Sequence, residues 1–225
     1  MKNLKNKKIL IPFISLIVLI MLLIFLLLFF NIPRVRYKLD KDTNEYSVVG
    51  CYGNAKTYTI KDNINGIKVT SIGVRAFYNK TNLEEIIFEN KENIELIDRL
   101  AFSKCYKLAY IELDCVDEIE RNAFSYCTLL KNVTLSAKYI NSSAFYASGL
   151  ESVTLNEGVK TIGSLAFSKT NISEVNLPST ISRLYQDCFN DMSSLKKITT
   201  TSENIYNKLL ELEYNRDDIE IVKVD

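Results

Sequence analysis

The chain has 225 residues, enough for one or two domains, and its 47% apolar and 24% charged content is that of a folded protein rather than a disordered one. Its formal net charge is +1, but Lys2, Lys5, Lys7 and Lys8 precede every acid, and without them 24 basic residues face 27 acidic ones, about −3. A mildly acidic body with no basic stripe lacks the electrostatic footprint of a nucleic-acid binder, so no nucleic-acid partner is expected.

Residues 1–8 form a basic tail. Residues 9–30 then run for 22 positions without a charge, roughly 33 Å as a helix at 1.5 Å per residue, which is long enough to span a bilayer. A cleaved signal peptide would have an apolar core of about 7 to 15 residues followed by small residues, whereas Phe29, Phe30, Asn31 and Ile32 follow here. The expectation is an uncleaved signal-anchor helix whose partner is membrane lipid. Arg34, Arg36, Lys38 and Lys41 nearly balance the N-terminal lysines, so flanking charge alone does not orient it. The short lysine-rich tail favours a cytoplasmic N-terminus and an extracytoplasmic C-terminal portion. Residues 31–45 show no periodicity and are expected to be a juxtamembrane linker.

From residue 69 to 201 the chain repeats itself with a period near 22, as six coils. Ala-Phe pairs recur at Phe77, Phe102, Phe124, Phe145 and Phe167, with Cys188-Phe189 as an altered copy. Five residues before each phenylalanine stands Ile72, Ile97, Ile119, Ile140, Ile162 or Leu184, and three before that Val69, Ile94, Val116, Ala137, Val159 or Ile181. Each phenylalanine is followed by a triplet at offsets 0, 3 and 5, such as Leu83-Ile86-Phe88, Leu130-Val133-Leu135 and Leu195-Ile198-Thr200. The last two residues of a triplet point to one face of a short strand, and the Ile-to-Phe segment returns its side chains to the same interior. One coil cannot bury that face alone, so neighbouring coils must cover it.

The pattern V-x-x-I-x-x-x-A-F followed by L-x-x-I-x-L resembles the BspA-like leucine-rich repeats of bacterial and some protozoan surfaces. Residues 46–77 look like the hairpin module that commonly precedes them, and the resemblance covers residues 46–225. It implies a β-rich solenoid and a surface protein contributing to adhesion or host interaction. Two ends complete the expected fold. Residues 46–68 should form a hairpin cap, with Asn65-Gly66 turning between the apolar runs at 58–60 and 67–69. Residues 202–225 should form an α/β cap, in which Ser202 starts a helix with Ile205, Leu209 and Leu212 on one face before the strand-like run 219–224.

The chain has no histidine, which removes histidine triads, imidazole bases and the commonest zinc ligands. No phosphate-binding or nucleophile-elbow motif is present, and Glu84-Glu85 and Asp217-Asp218 read as solvated charge. No catalytic, cofactor-binding or metal residue is therefore assigned, and the chain is not expected to be an enzyme. The five cysteines, 51, 105, 115, 127 and 188, have no C-x-x-C spacing. Cys105 and Cys127 each follow a repeat phenylalanine by three, a position that in the resembling family is frequently an interior cysteine. A bridge between them is sterically conceivable, but buried free thiols are the favoured reading.

Residues flanking the middle aliphatic of each strand must face outward and stack into two columns. One is Glu85, Tyr110, Asn132, Ser152, Glu174 and Lys197, and the other Ile87, Glu112, Thr134, Thr154, Asn176 and Thr199. The expected face is continuous and flat, acidic at its first end and basic at its last. It suits an extended protein or glycan better than an enclosed small molecule, with Tyr110 as the candidate anchor. A passive envelope scaffold with a merely soluble face is the alternative.

Overall fold

The computed structural model describes residues 15–25, 32–212 and 218–224. Residues 15–25 are helical (α1) and exposed. Among the described residues no helix is long and apolar enough to cross a membrane; the remainder of the expected span, 9–14 and 26–30, lies outside them, as do residues 1–8.

The body is a solenoid of about eight turns, more than the six expected. Each turn contributes to two ladders. The first contains β1 (Arg34–Asp40), β2 (Glu45–Tyr52), β5 (Ile67–Ile72), β7 (Leu96–Ile97), β8 (Glu118–Ile119), β10 (Tyr139–Ile140), β12 (Thr161–Ile162) and β14 (Arg183–Leu184), hydrogen-bonded in that order. All but the β1–β2 pair are parallel. The second holds β3 (Thr57–Ile60), β6 (Glu85–Phe88), β9 (Asn132–Leu135), β11 (Ser152–Leu155), β13 (Glu174–Leu177), β15 (Lys197–Thr200) and β16 (Glu220–Lys223). In β3, β9, β11 and β13 burial alternates strictly, as a period of two requires of a half-covered strand.

Two expectations at the N-terminal end are corrected. The linker assigned to 31–45 contains β1, whose register runs from Arg34↔Tyr52 to Asp40↔Glu45. Val35, Tyr37 and Leu39 alternate with Arg34, Arg36 and Lys38, and Val35 and Tyr37 pack on the core. The hairpin at Asn65-Gly66 exists, with φ of 53° and 82°, but it joins only β4 (Asn63–Ile64) to β5. Tyr58–Ile60 instead pairs in parallel with β6 and so already belongs to the solenoid. At the other end helix α2 (Glu203–Glu211) buries Ile205 and Leu209, and Ser202 accepts from the Ile205 N–H at its start. Strand β16 pairs in parallel with β15.

The phenylalanines form a column through the core. Phe77, Phe102, Phe124, Phe145, Phe167 and Phe189 stack with successive centroid separations of 5.1, 5.2, 5.1, 5.5 and 5.9 Å. Around the first five rings the backbone turns through positive φ two residues before and two after: Arg75 and Asn79, Leu100 and Lys104, Asn122 and Tyr126, Ser143 and Ala147, Leu165 and Lys169; at Phe189 only Asp191, two after, does so. Left-handed backbone costs an L-residue roughly 1–2 kcal/mol, so repeated use needs compensation. These turns aim amides along the solenoid axis: Arg75, Phe77 and Asn79 N–H donate to the carbonyls of Arg99, Ala101 and Ser103 in the next coil. Leu100, Phe102 and Lys104 do the same to Arg121, Ala123 and Ser125. Inter-coil bonding thus offsets the strain without glycine.

Candidate functional site

The second ladder carries the residues expected to recognise a partner. Register places Ser152 beside Asn132 and Thr154 beside Thr134, and Lys197 beside Glu174 with Thr199 beside Asn176. Glu85 meets Tyr110 through a single parallel bridge. Ile87, Tyr110, Asn132, Thr134, Ser152, Thr154, Glu174 and Asn176 are exposed, whereas Glu85, Glu112, Lys197 and Thr199 are half-buried. Both columns also extend one row further at each end: Thr57 and Thr59 lie beside Glu85 and Ile87, and Glu220 and Val222 beside Lys197 and Thr199. Those rows carry the same alternation in T-Y-T-I and E-I-V-K, which could have revealed them. Lys197 consequently lies 3.7 Å from Glu220, so the last end is not the basic terminus expected.

The face is neither continuous nor flat. β9 pairs only with β11, and β13, β15 and β16 form a separate sheet. Residues 110–113 hold just the bridge to β6, and between them and β9 the surface sinks into an open cleft of about 420 Å³. Tyr110, Glu112, Asp114 and Lys91 line it together with Asn132, Thr134, Ser152 and Thr154 of the following coils. Unequal turns build this relief. Eleven residues separate Leu83 from Ile94, against eight from Leu108 to Val116, and the surplus forms the 3₁₀ turn Lys91–Asn93, started by Asn90, whose side chain accepts from the Glu92 N–H. That turn sends the Lys91 ammonium down to the next coil, 2.8 and 3.0 Å from the Asp114 carboxylate oxygens and 3.8 Å from Glu112. Hydrogen bonding to Asp114 raises the Lys91 pKa above its ordinary value. The Tyr110 hydroxyl donates to Glu112 at 3.4 Å, leaving the ring 56% exposed. The cleft thus combines an aromatic surface with carboxylate, amide and hydroxyl groups, a set suited to binding by stacking and hydrogen bonding.

Residues 49–148 and 118–215 match the BspA type Leucine rich repeat region, in six copies. The chain belongs to the BspA-type leucine-rich repeat family. Several solved structures resemble this BspA-type chain. A leucine rich cell surface protein from Faecalibacterium prausnitzii is 27% identical with a TM-score of 0.62, over 75% of this chain and 53% of that one. The chain thus spans about half the length of that protein. The Leucine Rich Repeat protein of T. pallidum shares the fold at 23% identity and a TM-score of 0.54, over 73% and 68% of the two chains. No protein of curated function matches.

The cysteines of the BspA-type coils are packing groups. None of the five is in a disulfide, and Cys105, Cys127 and Cys188 are buried. The Cys105 S–H donates to the Phe77 carbonyl at 3.0 Å, and that of Cys127 to the Phe102 carbonyl at 3.2 Å. Each thiol satisfies a carbonyl of the preceding coil. Burial pushes the Cys105 thiol up to about 12 and raises Cys127 well above its ordinary value, the reverse of a reactive cysteine.

Proposed function

We propose that the protein is a membrane-anchored, extracytoplasmic recognition module, contributing to surface adhesion or host interaction, that binds an extended protein or glycan across its second-ladder face. One observation carries the reading: Tyr110, a large aromatic no core contact requires, stands 56% exposed in a polar cleft on that face. Tyrosines in such settings are frequent anchors of binding energy. The cell surface description of the Faecalibacterium prausnitzii protein supports the compartment, and the charge-free run 9–30 supports the anchor, with the N-terminal lysines inside. Protease added to intact cells or spheroplasts should digest the repeat domain; digestion only after lysis would reverse the orientation. Against a panel of immobilised matrix proteins and glycans, the chain should show saturable binding that Tyr110→Ala weakens. Binding to none of the panel, or binding indifferent to that substitution, would contradict the assigned site.

A further inference from the structure

The basic residues that confuse the membrane orientation are built into a folded strand, and that placement gives them a role. Arg36 and Lys38 are exposed on one face of β1, the edge strand of the first ladder, and half-buried Arg34 alternates with them. The Arg34 and Arg36 guanidinium groups sit 5.0 and 5.4 Å from the centroid of the exposed Tyr52 ring. Tyr78, also exposed, is approached by Arg75 at 5.6 Å and by Lys104 at 5.8 Å. The two groups neighbour each other at Gly50, whose Cβ position lies 3.8 Å from the Ala76 carbonyl and 3.9 Å from the Arg36 guanidinium.

Polarity runs along the strand. Asp40 and Asp42 lie at the far end, where with Asp98 they offset Lys38 and Lys41. Asp40 is six residues from Arg34, roughly 20 Å along a strand, beyond the screening length of about 8 Å in physiological salt. The basic, tyrosine-rich end is the one nearest the apolar run. Only residues 31–33 separate Phe30 from Arg34, so even a fully extended chain holds Arg34 within about 14 Å of that run's end. Lipid headgroups occupy roughly the first 5–8 Å beyond the hydrocarbon. Clustered cations with tyrosine rings match the chemistry of that layer.

We propose that Arg34, Arg36, Tyr52, Arg75, Tyr78 and Lys104 form a docking face for an anionic phospholipid surface, laying the first coils of the solenoid against the bilayer. The proposal rests on the membrane-anchored reading above, and the two separate in one experiment. Because the chain contains no tryptophan, Tyr52→Trp in the full chain gives a single indole reporter. The chain is reconstituted with vesicles of phosphatidylcholine alone, or with about a quarter phosphatidylglycerol; flotation measures anchoring and acrylamide quenching of the indole measures docking. Protection of the indole on phosphatidylglycerol vesicles, reversed by high salt, is expected. Each basic residue near an anionic surface contributes a factor of about five, so adding Arg34→Gln and Arg36→Gln should weaken docking roughly 30-fold. Arg183→Gln, at the far end of the same ladder, should leave it unchanged. Flotation with both vesicles but equal quenching would overturn docking and leave the anchor standing. Flotation with anionic vesicles alone, with the indole protected, would uphold docking without the anchor, and flotation with neither would overturn both.

Discussion

The two ladders of one solenoid behave differently. From β2 to β14 the first is unbroken, and the phenylalanine column beside it keeps its spacing through six coils. The second falls into separate sheets and opens a cleft where residues 110–113 leave β9 unpaired on that side. Ring stacking and left-handed corners tolerate almost no change in length, because each N–H must meet the next coil's carbonyl. Turns after the second-ladder strands vary freely, and their variation shapes the surface. Uniform packing therefore sits on one side of each coil, and individual relief on the other.

Sharp differences should follow between positions on the two sides. The thiols separate most completely: an alkylating reagent should label half-exposed Cys51 and Cys115 in the folded chain, whereas Cys105, Cys127 and Cys188 should react only on unfolding, as read by mass spectrometry. The sign follows from proton binding. Above the ordinary thiol pKa of 9.0 the unfolded Cys105 ionises while the folded thiol stays protonated up to about 12, so its contribution to stability is lost as pH rises through that window. Labelling of Cys127 at the rate of Cys115 would place it outside the core. Phe124→Ala, which opens the column, should cost about 3–5 kcal/mol in a melt or denaturant titration. Gly149→Ala comes next: a Cβ there would lie 2.0 Å from the Thr128 carbonyl of the preceding coil, an overpacking worth about 3 kcal/mol. Gly66→Ala meets nothing within 4 Å and should cost about 1–2 kcal/mol through its positive φ alone. Thr134→Ala, exposed on β9, should stay within about 0.5 kcal/mol. Equal losses at Phe124 and Thr134 would mean that the repeat register is wrong.

Period and residue type made the core legible. Every Phe, Ile and Leu placed inward by the spacing of 21 to 25 residues is buried, Phe77 to Phe189 included. The ends were harder, because Tyr58–Ile60 and Glu220–Lys223 pair with coils distant in sequence while Asn65-Gly66 signals only a local turn. β1 escaped notice since its alternation mixes arginine and lysine with Val35, Tyr37 and Leu39, and its partner strand is what organises it. At the candidate site the outward residues followed from alternation, but the cleft did not. It depends on where a turn three residues longer sends Lys91, a matter of three-dimensional reach rather than of pattern.

The claim that the variable face is the recognition surface is tested most directly by one comparison of affinities. Full-length chain and a Tyr110→Ala/Thr154→Lys variant are titrated against whichever immobilised matrix protein or glycan the unaltered chain binds, with melting temperatures measured alongside. Both positions are exposed and line the cleft, so melting should be unchanged while affinity falls by about 2 kcal/mol, roughly 30-fold. Equal affinities for the two proteins would contradict the account and move recognition to the turns or to the outer face of the first ladder.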